Sequence, residues 1–115
     1  MANTGLDGPF PLTKLGVANA VTKVSAGAYA LGHTNSNSLF EVEYVGRSDD
    51  DLAKRLQDHV PEPYQQFKAR YFPSAEEAFK KECHLYHDFP NRNNKVHPAR
   101  TKERNWSCPV CRIFD

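Results

Sequence analysis

The stretch that decides the fold runs from Gly27 to Gly46 and reads Gly27-Ala-Tyr-Ala-Leu-Gly-His-Thr-Asn-Ser-Asn-Ser-Leu-Phe-Glu-Val-Glu-Tyr-Val-Gly46. Residues 27–32 are a short apolar run bounded by glycines, which predicts a strand, and residues 35–38 have the composition of a turn. Phe40, Val42 and Tyr44 then alternate with glutamates, a period of two that is typical of a half-buried strand. The stretch therefore predicts an antiparallel hairpin.

The chain that follows the hairpin predicts two helices and a third strand. Leu52, Leu56 and Val60 form a helical stripe that prolines end, and Ser48 with Asp51 resembles a capping box before it. Residues 67–71 alternate apolar and basic side chains, which indicates a strand. Residues 74–77 form a full capping box, and we expect its helix to run to about Phe89.

On the other side of the hairpin, the spacing of apolar residues favours one more helix. It is marked by Thr13 near its start and by a stripe of Leu12, Leu15, Ala18 and Val21. Residues 1–11 contain glycine and proline with little pattern, so we expect a loose arm.

The resulting order is α-β-β-α-β-α followed by a coil. We therefore expect an α+β fold, with a small antiparallel or mixed sheet of three strands flanked by helices. At 115 residues the chain suits one hydrophobic core. We place a single domain at residues 12–115, with a core at 27–89 and a C-terminal extension at 90–115, in which Trp106 and Phe114 are available to anchor the tail.

Composition limits the class of protein. The mean hydropathy is −0.69, and the longest uncharged stretch, Val24 to Phe40, is interrupted by polar residues, so it cannot span a bilayer. No basic-then-apolar leader opens the sequence, and three cysteines do not form a paired disulfide framework. We expect a reduced, cytoplasmic protein with no membrane role.

Charge is unevenly distributed although the net charge is only +1. Residues 92–112 contain six bases and one acid, Glu103. A local basic segment can bind phosphate even when the total is near zero, while the alternative is a solvated tail.

Glu82 is an anomaly, because the helical wheel places it among the apolar side chains. Ala75 and Phe89 lie within about 20° of Glu82 around the helix axis. Burying a lone carboxylate costs several kcal/mol, so it requires a partner. The carboxylate could pair with a buried arginine such as Arg55, or extend to water from the edge of the core. It could also open into a cleft and hold a hard divalent cation.

The cysteines suggest a separate, structural metal site. Cys83 and His87 are neighbours on one helix face, and Cys108-Pro-Val-Cys111 supplies a close pair. These four ligands suit tetrahedral Zn²⁺, which would attach the tail to the last helix, and His84 and His97 are alternates. The other interpretations are inert cysteines or, third, a redox pair.

Taken in order, these residues resemble the motifs of the GIY-YIG nuclease superfamily. Gly27-Ala-Tyr29 and Tyr44-Val-Gly46, followed by Arg47, are similar to the two tripeptides that name the family. Leu52-Ala-Lys-Arg55-Leu resembles the family helix with its arginine, and His59 lies one turn further on. Glu-Ala-Phe-Lys-Lys-Glu82 resembles the helix that carries the metal-binding glutamate. The chain departs from the family in Ala28, where isoleucine is common.

The resemblance implies a Mg²⁺- or Mn²⁺-dependent endonuclease that hydrolyses phosphodiester bonds, with DNA the expected nucleic acid. It assigns Tyr44 as general base on the attacking water, with help from His59, while Tyr29 orients the water or the phosphate. Arg47 and Arg55 would bind the phosphate, and Glu82 would hold one metal ion. The family's polar asparagine could be Asn91, Asn93 or Asn94, of which we select Asn94.

Two other functions remain open from the sequence. The first is a silent, zinc-stabilised module of the same fold that binds nucleic acid through Arg47, Arg55 and residues 92–112. The second is a protein-interaction domain with no role on nucleic acid. A partner protein or a homodimer could supply specificity in the nuclease case.

Overall fold

The computed structural model describes residues 4–89, 92–101 and 104–113. Asn91 and Phe114, named above as a candidate site residue and a candidate anchor, lie outside the described residues. The elements in chain order are β1 (Asp7–Pro11), α1 (Lys14–Ala20), β2 (Gly27–Thr34), β3 (Phe40–Ser48), α2 (Leu52–His59), β4 (Gln66–Tyr71) and α3 (Ala75–Asp88). The α+β class and the β2–β3 hairpin are confirmed.

The described sheet has four strands, so the prediction of three strands was wrong. The strand order is β1-β4-β2-β3, and each neighbouring pair is antiparallel. The additional strand, β1, comes from the segment expected to be a loose arm. It pairs with β4, and the Phe10 ring packs on Phe67 with centroids 5.4 Å apart. Four of its five residues are exposed, so β1 lacks the alternation of buried and exposed residues from which a strand can be predicted.

Helices cover the sheet on both faces, and the central strand β2 decides how they pack. Tyr29 and Leu31 point into the core formed with α1 and α2, whereas Ala28 and Ala30 point toward Leu85 of α3. This alternation follows from the two-residue period of a strand. Small alanines on the α3 side leave room for that helix to approach the sheet.

The short helix α1 departs from its predicted stripe. Leu15, expected inside, is 70% exposed, while Val17 is completely buried and packs with Leu12 and Val21. The helix starts only after Thr13, whose hydroxyl accepts a hydrogen bond from the Gly16 N–H. Leu12 and Val21 therefore lie outside the helix, and a stripe drawn through them at helical spacing selects the wrong face.

The two longer helices begin at polar caps, and these caps fix where the site residues lie. Asp51, rather than Ser48, caps α2 by accepting from the Lys54 N–H, while the Ser48 hydroxyl accepts from the Asp51 N–H. Ser74 caps α3 by accepting from the Glu77 N–H, as predicted. The start of α3 at Ala75 places Glu82 in its middle, two turns in. At 14 residues, this longest described helix is too short and too polar to cross a bilayer.

The described residues after α3 form no helix or strand, and they run beside the exposed edge of β3. The Asn93 N–H donates to the Glu43 carbonyl. The Asn94 amide donates to the Val45 carbonyl at 2.8 Å and accepts from the Val45 N–H at 2.9 Å. Further on, the Trp106 ring packs on Phe79 of α3. This C-terminal segment, defined as residues 92–101 and 104–113, therefore covers an otherwise open sheet edge.

Candidate active cleft and candidate metal centre

A polar cleft of about 500 Å³ gathers most of the site residues named from the sequence. It is lined by Tyr29, Tyr44, Gly46, Arg47, Ser48, Asp49, Asp50, Arg55, Glu82 and Ala99. The lining comes from β2, β3, α2, α3 and the C-terminal segment. Side chains separated by up to 70 positions in the chain, from Tyr29 to Ala99, thus share one concave surface.

Gly46 makes room for the Tyr29 phenol. The two residues are opposite each other in the β2–β3 register. A Cβ atom on residue 46 would lie closer than 3.0 Å to the Tyr29 ring and hydroxyl. Tyr29 is completely buried, although it is one of the residues that line the cleft. The observed position of the Tyr29 phenol therefore requires glycine at residue 46.

His59 contacts Tyr29 rather than Tyr44 through a hydrogen bond. Its Nε2 lies 2.7 Å from the Tyr29 hydroxyl, whereas Tyr44 meets the imidazole by ring packing, with centroids 5.4 Å apart. The other ring nitrogen, Nδ1, lies 3.0 Å from Oε1 of Glu62. His59 is buried and is not among the residues that line the cleft, so it lies behind Tyr29 and Tyr44.

The two phenols lie in different environments. Burial raises the pKa of the Tyr29 phenol well above its usual value, and the nearby Arg55 guanidinium opposes that rise. Burial also raises the pKa of Tyr44, again against Arg55, but this side chain is only half-buried. Both phenols are therefore protonated near neutral pH.

Glu82 is held by Arg47, not by Arg55. The Arg47 Nη1 donates to Glu82 Oε1 at 2.8 Å, and its Nε donates to Asp49 Oδ1 at 2.8 Å. Both Arg47 and Glu82 are nearly buried, with side-chain exposures of 12% and 11%. Burial raises the pKa of the Glu82 carboxyl, and Arg47 offsets part of that rise. The anomaly of an acid on an apolar helix face is thus resolved by a buried ion pair.

Aromatic rings and the C-terminal segment fix Arg47 in place. Its guanidinium carbon lies 5.1 Å from the centre of the Phe79 ring and 5.8 Å from that of Trp106. Its Nη2 reaches the Thr101 hydroxyl at 3.4 Å, and this hydroxyl donates to Asp49 at 2.5 Å. The segment therefore supports the cleft as well as the sheet edge.

A second cluster, formed by α3 and the C-terminal segment, could bind a metal ion such as zinc. The ligand atoms of His87, His97, Cys108 and Cys111 all lie within 4.8 Å of one another. The two Nε2 atoms are 3.3 Å apart, Cys108 Sγ is 3.6 Å from His87 Nε2, and Cys111 Sγ is 3.4 Å from His97 Nε2. Ligand atoms around a tetrahedral Zn²⁺ are separated by roughly 3.3–3.8 Å, so these distances fit that ion.

The cluster differs from the predicted ligand set in one residue: it contains His97, which was an alternate, and not Cys83. Cys83 is completely buried against Phe79 and Cys108 in the core. Its short side chain lies in that core, while the longer His87 imidazole, one turn further along α3, reaches the cluster. The loop after α3 brings His97 to the same point, which helical spacing cannot foresee.

Local hydrogen bonds affect the protonation of two members of the cluster, Cys108 and His97. Burial opposes ionisation of Cys108, but hydrogen bonds from the backbone N–H groups of Val110 and Cys111 and from the His97 and Cys83 side chains together lower the pKa of this thiol to about 6. The His97 Nδ1–H donates to the Pro98 carbonyl at 2.9 Å, so Nε2 is the ring atom that faces the other ligands of the cluster. Burial and its contact with Cys108 raise the pKa of Cys83, which stays a thiol.

Asn94 lies outside the cleft lining, with both amide atoms on the Val45 backbone. Sequence reasoning missed Glu62, Asp49 and Thr101, which hold His59 and Arg47. The His-Val-Pro-Glu spacing at residues 59–62 is the signal that could have indicated Glu62, because a turn there returns residue 62 toward residue 59.

Comparison of the chain with protein-family models, with curated proteins and with solved structures gave no match.

Proposed function

We propose that this protein is a metal-dependent endonuclease that hydrolyses phosphodiester bonds in nucleic acid, with DNA the expected substrate. The observation that carries the proposal is the cleft itself. Two phenols, two guanidinium groups and one buried carboxylate, brought from four different elements, line a single polar surface. Proton transfer, anion binding and cation binding are the three requirements of phosphodiester hydrolysis, and these groups supply all three.

In this proposal Tyr29, rather than Tyr44, takes the proton of the attacking water. A phenol with a raised pKa is a poor base unless its own proton has somewhere to go. The Tyr29 hydroxyl lies 2.7 Å from His59 Nε2, so it can pass its proton to the imidazole as it accepts one from water. Tyr44, half-buried on the same cleft, then orients the water or the phosphate.

The arginines bind the phosphate and the charge that develops on it. Arg55 is exposed at the cleft beside the phenol, so it can meet a phosphate oxygen directly. Arg47 is held by Glu82 and Asp49, which fixes the plane of its guanidinium before substrate arrives. A donor that is already oriented costs little reorganisation during the reaction.

Glu82 is the carboxylate that would hold the divalent cation. Its oxygen donors suit Mg²⁺, which keeps several waters and also takes phosphate oxygens, so one carboxylate is sufficient. When bound, the ion would stabilise the leaving oxygen as a Lewis acid. Because Oε1 of Glu82 accepts from Arg47, the cation and the guanidinium would share one carboxylate.

Replacing Glu82 with Gln tests the proposal. We expect the wild-type protein to cleave plasmid or branched DNA with Mg²⁺ or Mn²⁺ and not with EDTA, and Glu82→Gln to lower the rate by at least about 100-fold. Glu77→Gln, at an exposed position on the same helix, is the matched control and should keep the wild-type rate. Undiminished cleavage by Glu82→Gln would exclude this mechanism.

A second candidate is a nucleic-acid-binding module that does not cut. The Arg47–Glu82 ion pair favours it, since the charge of the carboxylate is already compensated without a metal ion. This candidate predicts salt-sensitive binding to DNA or RNA with no product under any divalent cation.

For the second cluster we propose structural Zn²⁺, held by His87, His97, Cys108 and Cys111. Two thiolates and two imidazoles leave no position open for a substrate, so the ion would stabilise the C-terminal segment. Because that segment also contacts Arg47 through Trp106 and Thr101, loss of zinc should weaken the active cleft as well.

A further inference from the structure

Glu62 is the one carboxylate on the His59 imidazole among the described residues. It follows the end of α2, where its own N–H donates to the His59 carbonyl at 3.0 Å. That turn, which contains Pro61, returns the carboxylate over the ring, and Oε1 lies 3.0 Å from His59 Nδ1. The backbone of the turn therefore places the Glu62 side chain within reach of the ring.

The chemistry of the partners determines where the imidazole proton is. An ionised carboxylate only accepts hydrogen bonds, so His59 must carry its proton on Nδ1 to bond Glu62. In neutral imidazole the other nitrogen, Nε2, is then an acceptor. The Tyr29 hydroxyl, 2.7 Å away, must accordingly be the donor in its bond to His59.

We infer that Glu62 is a positioning residue, which holds His59 in the tautomer that accepts the Tyr29 proton. The inference rests on the nuclease function proposed above for the role of that proton. Without Glu62, free imidazole favours the opposite tautomer, in which Nε2 carries the proton and cannot accept another. Tyr29 would then have no acceptor for its proton, and the relay from water would stop.

The direct test is the tautomer of His59, read by two-dimensional NMR of protein labelled with ¹⁵N-histidine and assigned with His59→Asn. In the wild-type protein we expect the proton on Nδ1. In Glu62→Leu, which removes the acceptor, we expect Nε2 protonation to become the major form. Glu62→Gln keeps an acceptor oxygen without the charge and should retain the Nδ1 proton. Glu62 is 45% exposed, so both variants should fold.

A second histidine–carboxylate contact, on the β2–β3 hairpin, supplies a control. Glu43 accepts from His33 Nδ1 at 2.8 Å, Glu41 lies 2.9 Å from His33 Nε2, and none of the three lines the cleft. Glu43→Gln should change the His33 signals, leave those of His59 unchanged, and keep the wild-type cleavage rate.

Cleavage assays test whether Glu62 affects the proposed reaction. We expect Glu62→Leu to cut about 10- to 100-fold more slowly than wild type, with partial recovery in Glu62→Gln. A His59 proton on Nε2 in the wild type, or a tautomer unchanged in Glu62→Leu, would overturn the inference. So would a wild-type cleavage rate in Glu62→Leu. If the tautomer shifts as expected but the wild-type protein cuts no nucleic acid, the relay geometry stands and the nuclease function is what fails.

Discussion

At the scale of single residues, the most constrained position in the cleft is Gly46. Its missing side chain leaves the space that the Tyr29 phenol occupies, on the way to its bond with His59. A methyl group at this position would contact the phenol ring and hydroxyl below van der Waals distance. The two tripeptides of the hairpin are therefore one steric unit, although 14 residues separate them.

We expect Gly46→Ala to move the Tyr29 phenol away from His59. The variant should lose at least about 100-fold in cleavage rate, and overpacking should lower the free energy of unfolding by about 1–3 kcal/mol. Cleavage assays and urea unfolding measure the two effects. Wild-type cleavage by Gly46→Ala would mean that the Tyr29–His59 contact has no part in the reaction.

The buried Tyr29 phenol should also make stability depend on pH in the alkaline range. Its pKa is raised in the folded protein, so above about pH 10 the unfolded chain releases this proton and the folded chain retains it. Stability that is fully present below pH 10 is then lost as pH rises, by up to about 1.4 kcal/mol per pH unit.

Unfolding in urea at pH 9 and pH 11 should show a smaller loss for Tyr29→Phe than for wild type. The raised pKa of Tyr44 contributes in the same direction in both proteins, so the difference reports Tyr29 alone. Equal losses in the two proteins would show that the phenol titrates normally.

At the scale of elements, the C-terminal segment has more influence than its irregular backbone suggests. It pairs with the β3 edge through Asn93 and Asn94, supports Arg47 through Thr101 and Trp106, and supplies three of the four ligands in the metal cluster. The helix α3 supplies the fourth ligand, His87.

The ligand set can be decided by metal analysis of protein purified without chelator. We expect about one Zn²⁺ per chain in the wild type and in Cys83→Ala, and little or none in His97→Ala or in Cys108→Ser/Cys111→Ser. The variants that lose zinc should also be less stable by several kcal/mol. Loss of zinc from Cys83→Ala, with zinc retained by His97→Ala, would restore the ligand set expected from helical spacing alone.

At the scale of the whole molecule, a net charge of +1 means that the proposed contact with nucleic acid would depend on the local distribution of charge. Lys95, Arg100, Arg104 and Arg112 are exposed on the segment whose Ala99 lines the cleft. Arg47 is paired with two carboxylates, whose negative charges offset its attraction for a distant phosphate. We therefore expect this segment to supply most of the electrostatic attraction.

Binding of a short DNA duplex by Glu82→Gln should weaken steeply as salt is raised. Adding Lys95→Gln and Arg104→Gln should reduce the slope of log K against log salt by about 2, since each phosphate contact contributes about 0.9. Lys14→Gln with Lys23→Gln, the same charge change outside this segment, is the control. No affinity at low salt would exclude both nucleic-acid functions and favour a protein-interaction domain.

The sequence by itself determined the hairpin, the helices α2 and α3, and the kinds of side chain that form the site. These features depend on short-range rules: alternation along a strand, the spacing of buried residues on a helix, and caps within one turn. Strand β1 obeys no such rule, because its pairing with β4 uses backbone atoms and exposes most of its side chains.

Only the tertiary structure decided which of these side chains are partners. It joined His59 to Tyr29, Glu82 to Arg47, and His97 in place of Cys83 to the metal cluster. A hydrogen bond or a metal site requires atoms within about 3–4 Å, and folding of distant segments sets that distance. Residue spacing along the chain specifies which face a side chain occupies, but it does not specify what lies opposite that face.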